Sequence, residues 1–372
     1  MKIAFDAKRI FNNQTGLGNY SRTLLDNLYH FFPEYEYCLY TPKLGKASFS
    51  QQYAKQFKTI TANTTFKNIW RSYAIRKDLE KDAVDLYHGL SNEIPFWLKN
   101  TKTIVTIHDV IFKLLPHTYP QLDRWMYEEK TRYACQYATQ IIAISETTKK
   151  DLVRFYDVPE EKIQVVYQPC QPTFYEPIQS LTTTENLEYL PSEYLLYVGS
   201  INERKNLLTL VKAIRQLSHN QRIPLVIVGQ GKAYKKKVQA YIASHKLEKW
   251  MYWLDDLTSV NELKALYQNA QLFIYPSFYE GFGLPVVEAM LCETPVITTN
   301  VSALPEAGGN TVKYIHPNRI FELSEAIETI LQDSELQRQM GKKGRKDALS
   351  RFDPKKLTSQ VVDIYKSILG TN

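Results

Sequence analysis

Short apolar runs and amphipathic stretches alternate along the whole chain. In the first half, apolar runs at 3–6, 35–40, 83–88, 102–107, 140–144 and 163–167 read as strands. In the second half, runs at 194–199, 225–228, 251–254, 272–275, 295–299 and 314–317 do the same. Between them lie segments with helical spacing. Leu24, Leu25 and Leu28 share one face of a helix over about 20–32, and Leu263, Leu266 and Tyr267 mark another over 259–269. Further helices are expected at 147–155 behind a Ser145 cap, at 207–217 behind an Asn206 cap, and at 321–331, 333–349 and 357–369. The polar, aromatic region up to about residue 82 is less legible; F-K-N-I-W-R-S-Y-A-I within it reads as an amphipathic helix whose simplest role is packing.

Strands that alternate with helices on both sides of an irregular segment predict two doubly wound, parallel-sheet, Rossmann-like α/β domains facing a cleft. The irregular segment is rich in proline, with Pro169, Pro172, Pro177 and Pro191. The expected organisation is a first domain at 1–170, a linker at 171–192 with a polar stretch at 182–185, a second domain at 193–352, and a terminal helix at 353–372 after Phe352-Asp353-Pro354.

The stretch at 277–295 carries the chemistry. It follows an apolar strand and reads as a glycine turn entering a helix. Gly281 and Gly283 tolerate unusual backbone conformations and close approaches, and Pro285 suits a helix start. The free amides of a helix N-terminus favour an anion such as a diphosphate. Glu280 and Glu288 bracket the turn, and ionised carboxylates accept hydrogen bonds from hydroxyls. An anion cradle between two hydroxyl-binding groups fits a sugar nucleotide. The sequence E-G-F-G-L-P-V-V-E resembles the signature of the retaining glycosyltransferases of family four, whose fold is the two-domain GT-B architecture. The resemblance covers nearly the whole chain. It implies that Glu280, Gly281, Phe282, Gly283 and Leu284 meet the donor sugar and phosphate, and that Glu288 holds the ribose.

Arg204 and Lys205 are expected at the entrance of the 207–217 helix, where cations oppose the helix dipole unless an anion is bound there. The family has a basic pair at this point, neutralising the donor diphosphate. This chain has Ser200 where many members carry an arginine, so the register of the pair is open. His108, in T-I-H-D-V, ends a predicted strand, the edge where open α/β sheets bind ligands. In the resembling family such a histidine lies beside the donor sugar. Gly16 and Gly18, in the loop after the first strand, take the family's phosphate-side role, although Ser21 spoils a dinucleotide fingerprint. Gly229 and Gly231 could serve a nucleotide or a tight turn equally. The A-L-P-E-A-G-G-N segment reads as a glycine turn near phosphate and ribose, again by resemblance.

Composition narrows the class. The chain has 372 residues and a formal charge of +7, spread over lysine-rich patches at 232–237 and 342–346 that read first as solvated helix faces. Four scattered cysteines form no C-x-x-C pair, so neither zinc nor a disulfide framework is expected. No signal peptide and no membrane-spanning run is evident, which points to a cytoplasmic enzyme, with peripheral contact at the inner face of the membrane left open. No D-x-D motif lies in a cleft-like loop, so no metal is expected, and Arg204, Lys205 and the helix N-terminus are left to stabilise the leaving diphosphate. The expectation is a metal-independent, retaining hexosyltransferase of polysaccharide or glycoconjugate biosynthesis. It uses GDP-mannose, or alternatively a UDP-hexose, and a glycan or lipid-linked acceptor, with no other cofactor and no nucleic-acid partner. A sugar-nucleotide epimerase of the same fold, an NAD-dependent oxidoreductase and a non-catalytic nucleotide-binding module are the competing readings.

Overall fold

A computed structural model describes residues 1–66, 69–178, 187–218, 222–257 and 259–371. The polar stretch expected at 182–185 lies outside the described residues, as does part of the F-K-N-I-W-R-S-Y-A-I segment. The chain forms two compact units. One comprises Met1–Pro169 with the chain from Phe352 onward, and the other comprises Cys170–Arg351.

The first unit is built on seven parallel strands: β1 Lys2–Asp6, β2 Glu36–Thr41, β3 Lys58–Thr61, β4 Leu86–Gly89, β5 Lys102–Ile107, β6 Gln140–Ala143 and β7 Ile163–Val165. Their order is β3-β2-β1-β4-β5-β6-β7. The order reverses between β1 and β4, the switch point at which doubly wound sheets bind ligands. Both faces of the sheet are covered, so its strands are near-continuously apolar, as parallel strands must be. One face packs Ile3, Phe5, Leu39 and Leu86 against Leu24, Leu25 and Leu28 of helix Gly16–Phe31, and against Val361, Val362 and Tyr365 of helix Pro354–Leu369. The other packs Ala4, Cys38, Val105 and Ile141 against Trp70, Ile75 and Leu152. Trp70 and Ile75 thus give the F-K-N-I-W-R-S-Y-A-I segment the packing role expected of it.

The second unit repeats the plan with β8 Leu195–Val198, β9 Leu225–Val228, β10 Met251–Leu254, β11 Leu272–Tyr275, β12 Val296–Thr299 and β13 Lys313–Ile315. The order is β10-β9-β8-β11-β12-β13, with the switch point between β8 and β11. Its core joins Leu195, Tyr197, Ile227 and Ile274 to Leu210, Val211 and Ile214 of helix Leu207–Gln216, and to Leu323 and Ile327 of helix Ile320–Gln332.

Several local expectations need correction. A short helix, Lys8–Asn12, precedes the Gly16–Phe31 helix, where only a polar loop was expected. The segment read as a glycine turn at 303–310 is a helix, Leu304–Gly308, ended by Gly309. Of the two readings left open for Gly229 (φ 142°), the tight turn fits: a Cβ there would lie 2.1 Å from the Gly199 carbonyl oxygen. The Gly199 amide donates to Val228 O at 2.9 Å and that of Ile201 to Gln230 O at 2.7 Å, so the β9 turn supports the β8 turn.

Candidate functional site

In the second unit, the turns after β8 and β11 flank the switch point and bring together residues far apart in sequence. After β8 the chain passes through Gly199 and Ser200 into a 3-10 turn, Glu203–Lys205, whose N-cap Asn202 accepts from the Lys205 amide at 3.1 Å. Arg204 and Lys205 therefore precede the Leu207–Gln216 helix rather than begin it. Asn206 stands at the N-cap of that helix, but its side chain makes no cap bond. Its amide donates to Pro276 O at 3.0 Å and Pro317 O at 2.9 Å, pinning the β8, β11 and β13 turns together.

The anion that answers the two cations is Glu280. Its carboxylate lies 2.7 Å from the Arg204 guanidinium and 2.8 Å from the Lys205 ammonium. Glu280 is 7% exposed. Burial alone would favour its neutral form, but Lys205 and then Arg204 outweigh it and hold the carboxyl down at about 2. The carboxylate is thus ionised at any working pH and acts only as an acceptor. Lys205 also donates to the Tyr275 hydroxyl and sits 4.7 Å above that ring. Arg204 donates to Tyr279 O at 2.5 Å, and the Glu280 amide donates to Ser302 Oγ at 2.9 Å. The cations therefore belong to a packed network, not to a helix dipole awaiting an anion.

Beyond Glu280 come buried Gly281, buried Phe282 and Gly283, the N-cap of helix Leu284–Leu291. Gly283 has φ 123°, a conformation that favours glycine, and a Cβ there would stand 2.9 Å from Leu304 Cδ2, which would have to shift. Leu284 is the first helical residue and Pro285 the second, where its missing N–H costs nothing. Glu288 lies in the next turn. Its Oε2 accepts from the Tyr267 hydroxyl at 3.0 Å. Desolvation pushes this carboxyl up to about 7, against the opposing pull of the Tyr267 bond. The two bracketing glutamates thus have opposite electrostatics: Glu280 is fixed as an anion, whereas Glu288 titrates near neutrality.

A hydroxyl pair donating to Glu288 favours its ionised form. Nucleotide affinity should then fall as pH drops from 8 to 6, by up to about one decade per pH unit below the carboxyl's pKa. Titration calorimetry of GDP or UDP against wild type and Glu288→Gln separates this from ionisation of the ligand. The expected result is a steeper fall for the wild type; parallel curves would refute the hydroxyl-binding role.

In the first unit, His108 follows β5 as expected, and it is 6% exposed. Both ring nitrogens are engaged: Nε2 donates to Leu90 O at 2.9 Å, and Nδ1 accepts from the Gln168 amide at 2.8 Å. Burial drives its pKa down to about 4. Those bonds occupy both nitrogens of a neutral imidazole, so a place beside the donor sugar, which the resemblance implies, would not make the ring a donor or acceptor to it in this arrangement. The Tyr20 ring packs edge-on against it at 4.7 Å. Gly16 and Gly18 form the first turn of their helix. The Gly18 amide is taken by Asn13 Oδ1 at 3.1 Å, and a Cβ on Gly18 would lie 1.9 Å from Asn13 O. Gly18 thus serves the close approach of Asn13, and its amide is not held out for a phosphate.

Sequence reasoning missed Gln168, which locks His108, and Tyr267 and Tyr275, which serve Glu288 and Lys205. Only their place at β-strand ends or on an apolar helix face hinted at a role. It also missed His88, buried with Nδ1 2.7 Å from the Tyr365 hydroxyl and Nε2 2.8 Å from Thr106 Oγ1, which ties the last helix to the first sheet. Asp6, at the end of β1, pairs with buried Arg71, which also pairs with Glu93. Ser145 is a helix cap as expected, with Oγ accepting from the Thr148 amide at 2.9 Å. Among the described residues no three His, Cys, Asp or Glu side chains converge as metal ligands, and no helix is long and apolar enough to cross a membrane.

Two family models match. Residues 16–173 match Glycosyltransferase Family 4, and residues 182–347 match Glycosyl transferases group 1. The chain is 29% identical to the O-antigen chain mannosyltransferase B of Escherichia coli, over 76% of this chain and 74% of that one. Among solved structures, the sucrose-phosphate synthase of Thermosynechococcus elongatus superposes with a TM-score of 0.78 at 20% identity, covering 100% of this chain and 99% of that one. Anabaena HepE in complex with UDP-glucose superposes with a TM-score of 0.77 at 17% identity, covering 99% and 100%.

Proposed function

The chain belongs to the group 1, family four glycosyltransferases, and from that premise we propose that it is a retaining, metal-independent enzyme that moves a hexose, with mannose favoured, from a nucleoside-diphosphate donor to a glycan or lipid-linked acceptor. Its two parallel-sheet α/β units are those of the GT-B architecture. The observation that carries the reading is the buried set of Glu280 with Arg204 and Lys205 beside the switch point of the second sheet. A donor diphosphate placed against the two cations meets charge that is already oriented, and the charge that develops as the diphosphate leaves is stabilised without reorganisation. Arginine can grip phosphate with a fork and lysine as a point charge. Gly281, Phe282, Gly283 and Leu284 bring backbone amides to the same anion. Glu280, held as an anion, accepts from donor-sugar hydroxyls and positions the sugar. Glu288 takes the ribose hydroxyls.

Retention follows from a front-face course in which a leaving phosphate oxygen takes the acceptor proton. His108, neutral and doubly bonded, is proposed as a fixed wall group of the first unit and not as an acid. Mannose is favoured by the Escherichia coli relative named as a mannosyltransferase. The HepE complex with UDP-glucose keeps a UDP-hexose as the alternative donor.

A thermal-shift panel with GDP, UDP, ADP and NAD, with and without chelator, tests the reading. A ligand at one hundred times its Kd adds about 2.7 kcal/mol. Stabilisation by GDP or UDP that survives chelator is expected and names the base. Stabilisation by NAD alone, or turnover abolished by chelator and restored by a divalent metal, would overturn the respective part.

A further inference from the structure

The first unit holds a cavity of about 440 Å³ that the donor-binding groups do not use. It lies at the carboxyl ends of three neighbouring parallel strands, β3, β2 and β1. Lys8 and Asn12 come from the helix after β1, Pro42 and Lys43 from the loop after β2, and Phe66 and Ile69 from the chain after β3. Its size falls within the range of small-ligand sites.

The walls are of two kinds. Phe66 and Ile69 are 68% and 56% exposed, an aromatic and aliphatic surface against which the apolar face of a sugar ring can lie. Opposite in character are Lys8 and Lys43. Neither makes an ion pair among the described residues, and the acids near Lys8 are committed elsewhere: Asp6 to Arg71, and Glu93 to Arg71 and Lys130. Lys8 is half-buried. Its desolvation, and then the nearby Arg71 guanidinium, lower its proton affinity. Asn12 donates to the carbonyls of Lys43 at 3.0 Å and Lys8 at 3.3 Å, so the two lysine-bearing segments are tied to each other. The cavity therefore carries surplus positive charge beside apolar surface.

We propose that this cavity receives the acceptor, and that the acceptor is a glycan bearing a phosphoester, with its sugar against Phe66 and Ile69 and its phosphate between Lys8 and Lys43. The inference rests on the transferase reading and names its acceptor class. A uronate carboxylate would offer part of the same chemistry. A phosphomonoester is favoured because its two negative charges can engage both ammonium groups, whereas a carboxylate brings a single charge.

The test titrates α-mannose 1-phosphate, glucuronic acid and methyl α-mannoside into the full chain, with GDP or UDP saturating the nucleotide-binding groups. Loss of nucleotide binding in the same titration marks failure of the transferase reading; this proposal is judged by the second ligand. Mannose 1-phosphate should bind at least about tenfold more tightly than methyl α-mannoside, as expected of a charge-assisted contact. Lys8→Gln with Lys43→Gln should erase that difference, and Phe66→Ala should weaken both sugars alike. Lys43→Gln alone, at an exposed position, keeps the test valid if the double variant fails to fold. Equal binding of charged and neutral sugars, no binding, or insensitivity to both lysine variants overturns the proposal. Lysine-dependent binding of glucuronic acid in place of mannose 1-phosphate overturns the phosphoester in favour of a uronate.

Discussion

Glu280→Ala is expected to lower kcat by about 10²- to 10³-fold, the cost of removing one preorganised polar group from a reacting centre, and at the same time to tighten the binding of a nucleoside diphosphate. The two effects have one cause. Glu280 occupies both cations at 2.7 and 2.8 Å, so a diphosphate must share them with it. Without the carboxylate, Arg204 and Lys205 have the diphosphate to themselves, while the donor sugar loses the acceptor that positions it. The variant should also melt earlier. Breaking a buried pair leaves uncompensated charge, at a cost of about 3 kcal/mol or more. Saturating nucleotide should restore much of that loss, because it supplies an anion in the same place. Glu280→Gln keeps one acceptor oxygen and should fall between. The measurements are steady-state kinetics, calorimetric Kd and melting temperature with and without nucleotide. A near-normal kcat/KM for Glu280→Ala would refute its positioning role.

The basic variants should show the opposite sign in binding. Lys205→Met and Arg204→Ala are each expected to lower kcat/KM by about 10²- to 10³-fold, and in both the nucleoside diphosphate should bind more weakly. Lys205 contacts Glu280, the Tyr275 hydroxyl and the Tyr275 ring. Its removal takes one of the two cations from the buried Glu280 carboxylate and a donor from Tyr275, so Lys205→Met is expected to be the less stable of the two. Arg204→Lys keeps the charge and loses the fork, so it should recover binding more than turnover. Because the three groups act as one network, the double variant Arg204→Ala with Glu280→Ala should cost less than the product of the single effects. Equal signs of the binding change in the acidic and basic variants would mean that the diphosphate does not meet these cations.

The legible part of this site was local. In E-G-F-G-L-P-V-V-E the turn and the helix start follow from neighbours within a few residues, and the φ of 123° at Gly283 is the backbone side of that motif; the approach of Leu304, 21 residues on, is tertiary. The unusual placement of Arg204 and Lys205 signalled an anion, but its identity was out of reach: Glu280 is on a different strand end, and only the pairing of β8 with β11 brings the two turns together. Gly18 was misread for a similar reason. A glycine that admits a ligand and a glycine that admits Asn13 look the same in a sequence.

The sequence by itself determined two parallel-sheet domains and the glycine turn that opens a helix between two glutamates, because period, turn chemistry and capping are properties of contiguous residues. Tertiary structure alone decided the protonation states. Glu280 is held at about 2 and Glu288 raised to about 7, although both are glutamates at one turn, because the first faces two cations and the second is desolvated with the Tyr267 hydroxyl as the opposing pull. It also decided that His108 stands neutral between Leu90 and Gln168, and that the segments after three strands line one lysine-bearing cavity. Such features depend on burial and on partners distant along the chain, and those exist only once the strands are placed side by side.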